Sequence, residues 1–366
     1  MLAHDLTPVS IIALYGHERL QRRFRDALTR GTMPASLLLH GPRGVGKQRL
    51  ALWLGSVMLC TGPELRPCGK CEQCRFAGSL THPDLQWFFP RPRLKDSDAS
   101  PADVREDYGD AIAERVQAHG LYAPPSGSEG IYVAATRTVV QSAAMSPAMG
   151  KRKVFVIGDA ERMVPQEGAD AAANAFLKLL EEPPADTTLI VTSSEPGALL
   201  PTIRSRLVAV RVPALPEQAV RAFVTDERVA ERLRRDGVDG STDELVSAAG
   251  GSPGRLLDYE GWSLASAHAK RLLEAATSSD RGARYRVSLS QGGARARGSF
   301  SDTLDALSTL LHERARAATG RSDEVSAVGA ARAMTVVERA KEQASGNVSP
   351  HLVSAELLRE LGGLLR

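Results

Sequence analysis

The apolar run Leu37–His40 passes directly into Gly41-Pro42-Arg43-Gly44-Val45-Gly46-Lys47, after which Leu50, Trp53, Leu54 and Val57 recur at helical spacing. A buried strand, a glycine loop and an amphipathic helix in that order leave few folds open. The glycines let backbone N–H groups approach phosphate oxygens, the helix N-terminus adds partial positive charge, and Lys47 supplies a point charge. Gly41, Arg43, Gly44, Gly46 and Lys47 are therefore candidate nucleotide-binding residues. Such a unit belongs in a parallel α/β sheet, and four more apolar runs fit it: Leu85–Phe89, Val154–Ile157, Leu189–Thr192 and Leu207–Val212. A helix carrying Ala173, Phe176, Leu177 and Leu180 is stopped by Pro183-Pro184.

The divalent-cation ligands of this cradle are altered. Where a hydroxyl would bind magnesium the chain has Gln48, and where the strand ending at Ile157 should be followed by Asp-Glu it reads Gly158-Asp159. Two contacts to the metal are missing or weakened, so hydrolysis by this chain alone is not expected. Three states fit these residues: ATP or ADP bound without turnover, an empty loop, and an ATPase with unusual ligands.

All four cysteines lie in one short stretch, Cys60, Cys68, Cys71 and Cys74. Four thiolates at such spacing satisfy tetrahedral Zn²⁺ and leave no position for water, which makes the site structural. Lys70 and Arg75 offset the formal charge of such a centre. An iron–sulfur cluster or free thiols are the alternatives. His82, before Pro83, reads as a turn residue.

Two further segments bear polar groups. Thr192-Ser193-Ser194-Glu195-Pro196 ends a strand beside the cradle, where a hydroxyl would either touch phosphate or form a turn. Arg204 and Arg206 sit on an exposed turn. They form a solvated corner, a salt bridge with Glu181 or Glu182, or an arginine finger acting on a neighbour's ATP.

The stretch 91–130, rich in Pro, Asp, Ser and Gly, reads as a surface insertion with at most one helix near Ala111–His119 and some disorder. Beyond Ala214 the pattern is helical only. Glu217–Val224 is one helix, a capping box Ser241-Thr-Asp-Glu244 opens another that ends at Gly250-Gly251, and Ser252-Pro253 starts a third. The expected division is a sheet domain 1–213 with a zinc module at 60–74, a helical lid 214–262 and a helical domain 263–366. That last domain is interrupted by a polar loop Ser278–Ser301 bearing Arg281, Arg284, Arg286, Arg295 and Arg297. With 46 basic and 43 acidic residues the net charge is +3, too small to argue for nucleic-acid binding, so any such contact needs a local patch. No secretory or membrane-spanning run is apparent, and a cytoplasmic location without membrane partners is expected.

These pieces together resemble the clamp-loader AAA+ family, and within it the delta-prime subunits of bacterial DNA polymerase III. The resemblance rests on the P-loop, the four cysteines, Gly78-Ser-Leu-Thr-His-Pro-Asp84, Asp170-Ala-Ala-Ala-Asn-Ala-Phe-Leu-Lys-Leu-Leu-Glu-Glu-Pro-Pro184 and Leu200-Pro-Thr-Ile-Arg-Ser-Arg206. It implies a three-domain AAA+ subunit whose C-terminal helices form a collar with sister subunits, delta and gamma/tau. The assembled complex loads the sliding clamp onto primed DNA. It further implies that Arg206 acts in trans as an arginine finger; here Leu207 follows where relatives have cysteine. Arg255 takes the position of a lid arginine that contacts nucleotide. The gamma/tau subunits share fold and zinc module, but are expected to carry Ser or Thr at position 48 and an intact Asp-Glu.

Overall fold

Five parallel strands organise the first half of the chain: β1 (Ser36–His40), β2 (Leu85–Phe88), β3 (Lys153–Ile157), β4 (Thr187–Ser193) and β5 (Val208–Arg211), in the order β2-β3-β4-β1-β5. β3 and β4 are buried at every position, which is why both read as unbroken apolar or Thr-rich runs. β5 is an edge strand with three exposed positions. The computed structural model describes residues 10–63, 66–95, 99–125, 129–163, 170–290, 297–345 and 348–365. The chain divides into two compact units, Met1–Leu257 and Asp258–Arg366.

In the first unit, helices α1 (Glu18–Thr29), α2 (Lys47–Leu59), α3 (Glu72–Gly78), α4 (Pro101–Gln117), α5 (Val133–Ala144), α6 (Asp170–Glu181) and α7 (Pro201–Arg204) accompany the sheet. Leu50, Leu54 and Val57 of α2 are fully buried in the position their spacing predicts. On α6 the buried residues are Phe176, Leu179 and Leu180, whereas Ala173 is exposed. Three more helices follow: α8 (Glu217–Val224), α9 (Glu227–Arg235) and α10 (Thr242–Ala249). Ser241 and Glu244 close the expected capping box, and Gly250 ends α10 in the left-handed region. Pro253 opens a 3-10 turn, Pro253–Asp258, where the sequence suggested an α-helix.

The insertion holds more structure than its composition suggests. α4 runs for 17 residues and is opened by Pro101 at its first position and by a capping box between Ser100 and Asp103. Residues 126–128 of its Pro-Ser-Gly stretch lie outside the described residues. Tyr108 donates to the Phe89 carbonyl (2.7 Å), and Arg91 pairs with both Asp107 oxygens, tying α4 to the end of β2.

After α4 the chain crosses to two other segments. The Ile12 N–H donates to the His119 carbonyl (2.9 Å), and Arg232 of α9 donates to the Leu121 carbonyl (2.8 Å). Leu121, 2% exposed, packs in a core with Ile12, Leu215, Val220, Phe223 and Leu233. Residues 119–121 thus pin the α8–α10 helices to the N-terminal segment.

The second unit contains α11 (Tyr259–Thr277), α12 (Arg281–Leu289), α13 (Arg297–Gly320), α14 (Glu324–Ser345) and α15 (Pro350–Leu364) around a core that includes Leu272, Leu304, Leu307, Val337, Leu357 and Leu361. The expected loop 278–301 is corrected here. Asp280 caps α12 through the Gly282 N–H, and α13 begins at Arg297. Arg284 donates to the Ala275 and Ser278 carbonyls, so it closes the end of α11; Arg295 lies outside the described residues. Among the described residues no helix is long and apolar enough to cross a membrane.

Truncating Leu121 to Ala removes the side chain that joins the insertion to α8–α10, and is expected to cost about 2–4 kcal/mol in chemical denaturation. Hydrogen exchange should rise in 217–249 before it rises in β3 and β4.

Candidate functional site

Because all five strands are parallel, their carboxyl ends gather at one edge, and the cradle forms there. The Gly41 N–H donates to the Ser193 carbonyl at the end of β4. Gly44 (φ +79°) is in the left-handed region, where a side chain is strained, and a Cβ would lie a tight 3.1 Å from the Arg255 nitrogen. Its carbonyl accepts from the Gly254 N–H at 2.9 Å. Gly46 (φ +91°) precedes α2, and nothing stands within 4 Å of where its side chain would be. The backbone features of a phosphate cradle are present, with open space above Gly46.

Lys47 lies over this loop. Its Nζ donates to the Gly41 carbonyl (3.0 Å), the Pro42 carbonyl (2.9 Å) and Ser194 Oγ (2.8 Å). Of the hydroxyls ending β4, Thr192 accepts from the Asp159 N–H, Ser193 accepts from the Glu195 N–H in a turn, and Ser194 meets Lys47. One strand end thus supplies both a turn former and a partner for the cradle lysine.

The place of the divalent cation is filled by protein. Gln48, 9% exposed, donates through Nε2 to Asp159 Oδ2 (2.9 Å) and accepts at Oε1 from the Trp87 indole (2.9 Å). A Cβ on Gly158 would fall 2.2 Å from Gln48 Oε1. Gln48 and Asp159 are therefore brought together as the sequence places them, but as a hydrogen-bonded pair. A carboxylate at position 158 would collide with the glutamine. The residues fit a phosphate and do not fit a hydrated magnesium ion.

Sequence reasoning missed three contributors: Trp87, Arg115 and Glu161. The Arg115 guanidinium, carried on α4, lies 3.3 Å from the Phe89 ring centre, 3.9 Å from Tyr122 and 4.6 Å from Trp87. Only the contact across the fold reveals this cluster. Glu161, in the 3-10 turn Ala160–Arg162, accepts from the Ser194 N–H (3.0 Å). Burial, and then the neighbouring charge of Asp159, push its pKa up to about 7.

Arg255 is buried and donates toward the Ala249 carbonyl, while its backbone touches Gly44. Arg206 pairs with Glu181 at 2.5 Å and donates to the Thr202 carbonyl at 2.6 Å, so of the three readings of this turn the chain itself forms the salt bridge. Arg43 and Arg204 lie at the surface of this face, half-buried and exposed respectively.

The four cysteines converge. Their sulfurs all lie within 4.8 Å of one another, with Cys68–Cys74 and Cys71–Cys60 both at 3.9 Å. Tetrahedral zinc with Zn–S bonds of about 2.3 Å requires sulfur separations of about 3.8 Å, so the donor set fits. Backbone N–H groups point at the sulfurs: Gly62 and Cys68 at Cys60, Cys71 at Cys68, and Cys74 at Cys71. Hydrogen bonds from the Cys71 and Lys70 backbones lower the Cys68 thiol pKa. His82 is more than a turn residue, since its ring bonds Gln73 of α3 and accepts from the Asp84 N–H. Asp84 in turn accepts from the N–H groups of Ala148, Met149 and Gly150 at 2.6–2.8 Å. The module is thereby fastened to β2.

Two measurements test this site. Cys74→Ser should lower bound metal from about one zinc per chain to near none by elemental analysis, and open 60–78 to protease while the sheet persists. For Glu161, the raised folded-state pKa means that stability is lost as pH climbs from the ordinary carboxyl value through about 7. Glu161→Gln should therefore exceed wild type by about 1–3 kcal/mol at pH 8, a gap that closes by pH 4.5.

Residues 16–216 match the family described as DNA polymerase III, delta subunit. The delta' subunit of DNA polymerase III from Pseudomonas aeruginosa is 31% identical over 217 residues, covering 59% of this chain and 52% of that protein. The gamma/tau subunit of Mycobacterium tuberculosis is 28% identical over 250 residues, 67% of this chain and 36% of that one. The chain thus spans about half the length of the first relative and about a third of the second. A crystal structure of a gamma subunit-related protein of Thermotoga maritima aligns over 95% of this chain and 99% of its own, at 18% identity and a TM-score of 0.35. The family match takes in more than half of the chain, from the cradle through the four cysteines to Arg206, and this protein is a member of the DNA polymerase III delta-subunit family.

Proposed function

We propose that the chain is a delta-prime-type subunit of the clamp loader of the replicative DNA polymerase, an assembly subunit that does not hydrolyse ATP. In this reading 1–213 is the AAA+ sheet domain, 214–262 the lid and 263–366 the collar. The collar joins delta and gamma/tau, and the assembled complex places the sliding clamp on primed DNA in the cytoplasm. The Gln48 amide, locked between Trp87 and Asp159 against Gly158, carries the proposal, because it stands where a magnesium ligand would have to be.

Gly44, Gly46 and Lys47 would hold the phosphates of ATP or ADP, with Arg255 approaching from the lid. Phosphate bound there would gain charge neutralisation and backbone hydrogen bonds, while in-line attack would lack its cation. Zinc at the four cysteines would hold the module and supply no chemistry. Arg206 would leave Glu181 to reach the ATP of a neighbouring subunit. The gamma/tau reading draws on the longer match to the mycobacterial relative, and it requires magnesium-dependent turnover by this chain.

The purified chain should show no Mg²⁺-dependent ATP cleavage above buffer. Robust turnover would move it to the gamma/tau kind. In a reconstituted complex, Arg206→Ala should leave assembly intact by gel filtration and lower ATP hydrolysis at least about tenfold. Unchanged hydrolysis would remove the finger.

A further inference from the structure

The overall charge of +3 conceals a concentration on one surface. Helix α1 buries Leu20 and Phe24 and turns Arg19, Arg22 and Arg23 to solvent, and Arg30 just after it is exposed too. Alongside it lies the rim of the cysteine module, with Arg66, Lys70 and Arg75 exposed. One backbone and one side-chain hydrogen bond hold the pieces together. The Ile11 N–H donates to the Gly78 carbonyl at the end of α3 (3.2 Å), and Arg25 Nε donates to the Arg66 carbonyl (2.7 Å). Arg25 is itself fixed 4.9 Å from the Trp53 ring centre.

Within 17–30 and 66–79, eight cations accompany only three acids, Glu18, Asp26 and Glu72. Lys70 and Arg75 would also offset the charge of a tetrathiolate centre, whereas the α1 arginines have no such counter-charge beside them. Among the described residues, Arg19, Arg22 and Arg23 form no ion pair. No large apolar side chain is exposed on either segment. A protein partner would therefore lack the buried anchor that such interfaces use, whereas a phosphate backbone needs none. Twelve residues of helix extend about 18 Å, enough to present guanidinium groups to several successive phosphates.

We propose that α1 and the adjoining rim of the cysteine module form a docking surface for the phosphodiester backbone of duplex DNA, bound without reading bases. The surface is separate from the cradle and does not depend on nucleotide or on Arg206.

The test is fluorescence anisotropy of a labelled duplex of arbitrary sequence with the full chain, over about 50–200 mM salt. Wild type should bind with an affinity that falls steeply with salt. The combined variant Arg19→Ala, Arg22→Ala, Arg23→Ala should bind at least about tenfold more weakly at the lowest salt, with the log–log slope flattened by about 2–3. The α9 variant Arg228→Ala, Arg234→Ala, Arg235→Ala, which removes the same charge elsewhere, should stay within about twofold of wild type. Circular dichroism checks that the triple variant is folded; the single charge reversal Arg22→Glu gives the same reading if it is not. Undetectable wild-type binding, equal loss in the α9 variant, or unchanged binding in the α1 variant overturns the proposal. Displacement of DNA by an equal concentration of a polyglutamate peptide would do so as well, by assigning the surface to an acidic protein.

Discussion

The amide of Gln48 is the contact on which the candidate site depends. Its nitrogen is held by Asp159 and its oxygen by Trp87, and its bulk occupies the space beside Gly158. Trp87 lies in β2, and Gly158 and Asp159 follow β3, so the amide is held from two neighbouring strands. Shortening Gln48 to a hydroxyl residue would remove its bond to the half-buried Asp159 and leave the buried Trp87 indole N–H without its acceptor, the latter at a cost of about 1–3 kcal/mol. Adding a side chain at Gly158 would drive atoms into the amide. Gln48, Asp159, Trp87 and Gly158 are therefore a packed arrangement in which no one position can be changed without disturbing another.

The insertion reinforces this arrangement from outside. Trp87, which bonds Gln48, is tilted against Phe89 at 4.7 Å and Tyr122 at 5.7 Å, and Arg115 lies over all three rings. A guanidinium among aromatic faces recovers part of the solvation it loses. Burial still lowers the Arg115 pKa, and the nearby Asp159 carboxylate acts against that fall. The same segment then reaches Ile12 and Arg232 through His119 and Leu121. A stretch that composition marks as a loose surface loop thus connects the Gln48–Trp87 contact to the α8–α10 helices.

The legible parts of the sequence were those in which local pattern and tertiary burial agree. β3 and β4 are buried on both faces, so their apolar runs had one reading, and the four cysteines converge because their spacing allows little else. Failures arose where composition and local chemistry disagreed. Ser100-Pro101-Ala102-Asp103 is a sound helix start, yet the Pro, Asp and Ser around it gave the whole stretch the character of a loop. Asp280 opens α12 in the same way inside an arginine-bearing segment. Trp87, Arg115 and Glu161 carry no local signal, since the partners that define their roles, Gln48, Phe89 and Ser194, lie far from them along the chain.

The two candidate arginines differ in how readily they can move. Arg255 is buried, and its backbone is wedged against Gly44, so displacing it would disturb the cradle. Arg206 has a side chain 26% exposed, paired with a Glu181 side chain 48% exposed. Pairs of that kind contribute about 0–1 kcal/mol because water competes for both charges. The weakly held guanidinium is thus the one on the surface turn, and the strongly held one is the buried Arg255.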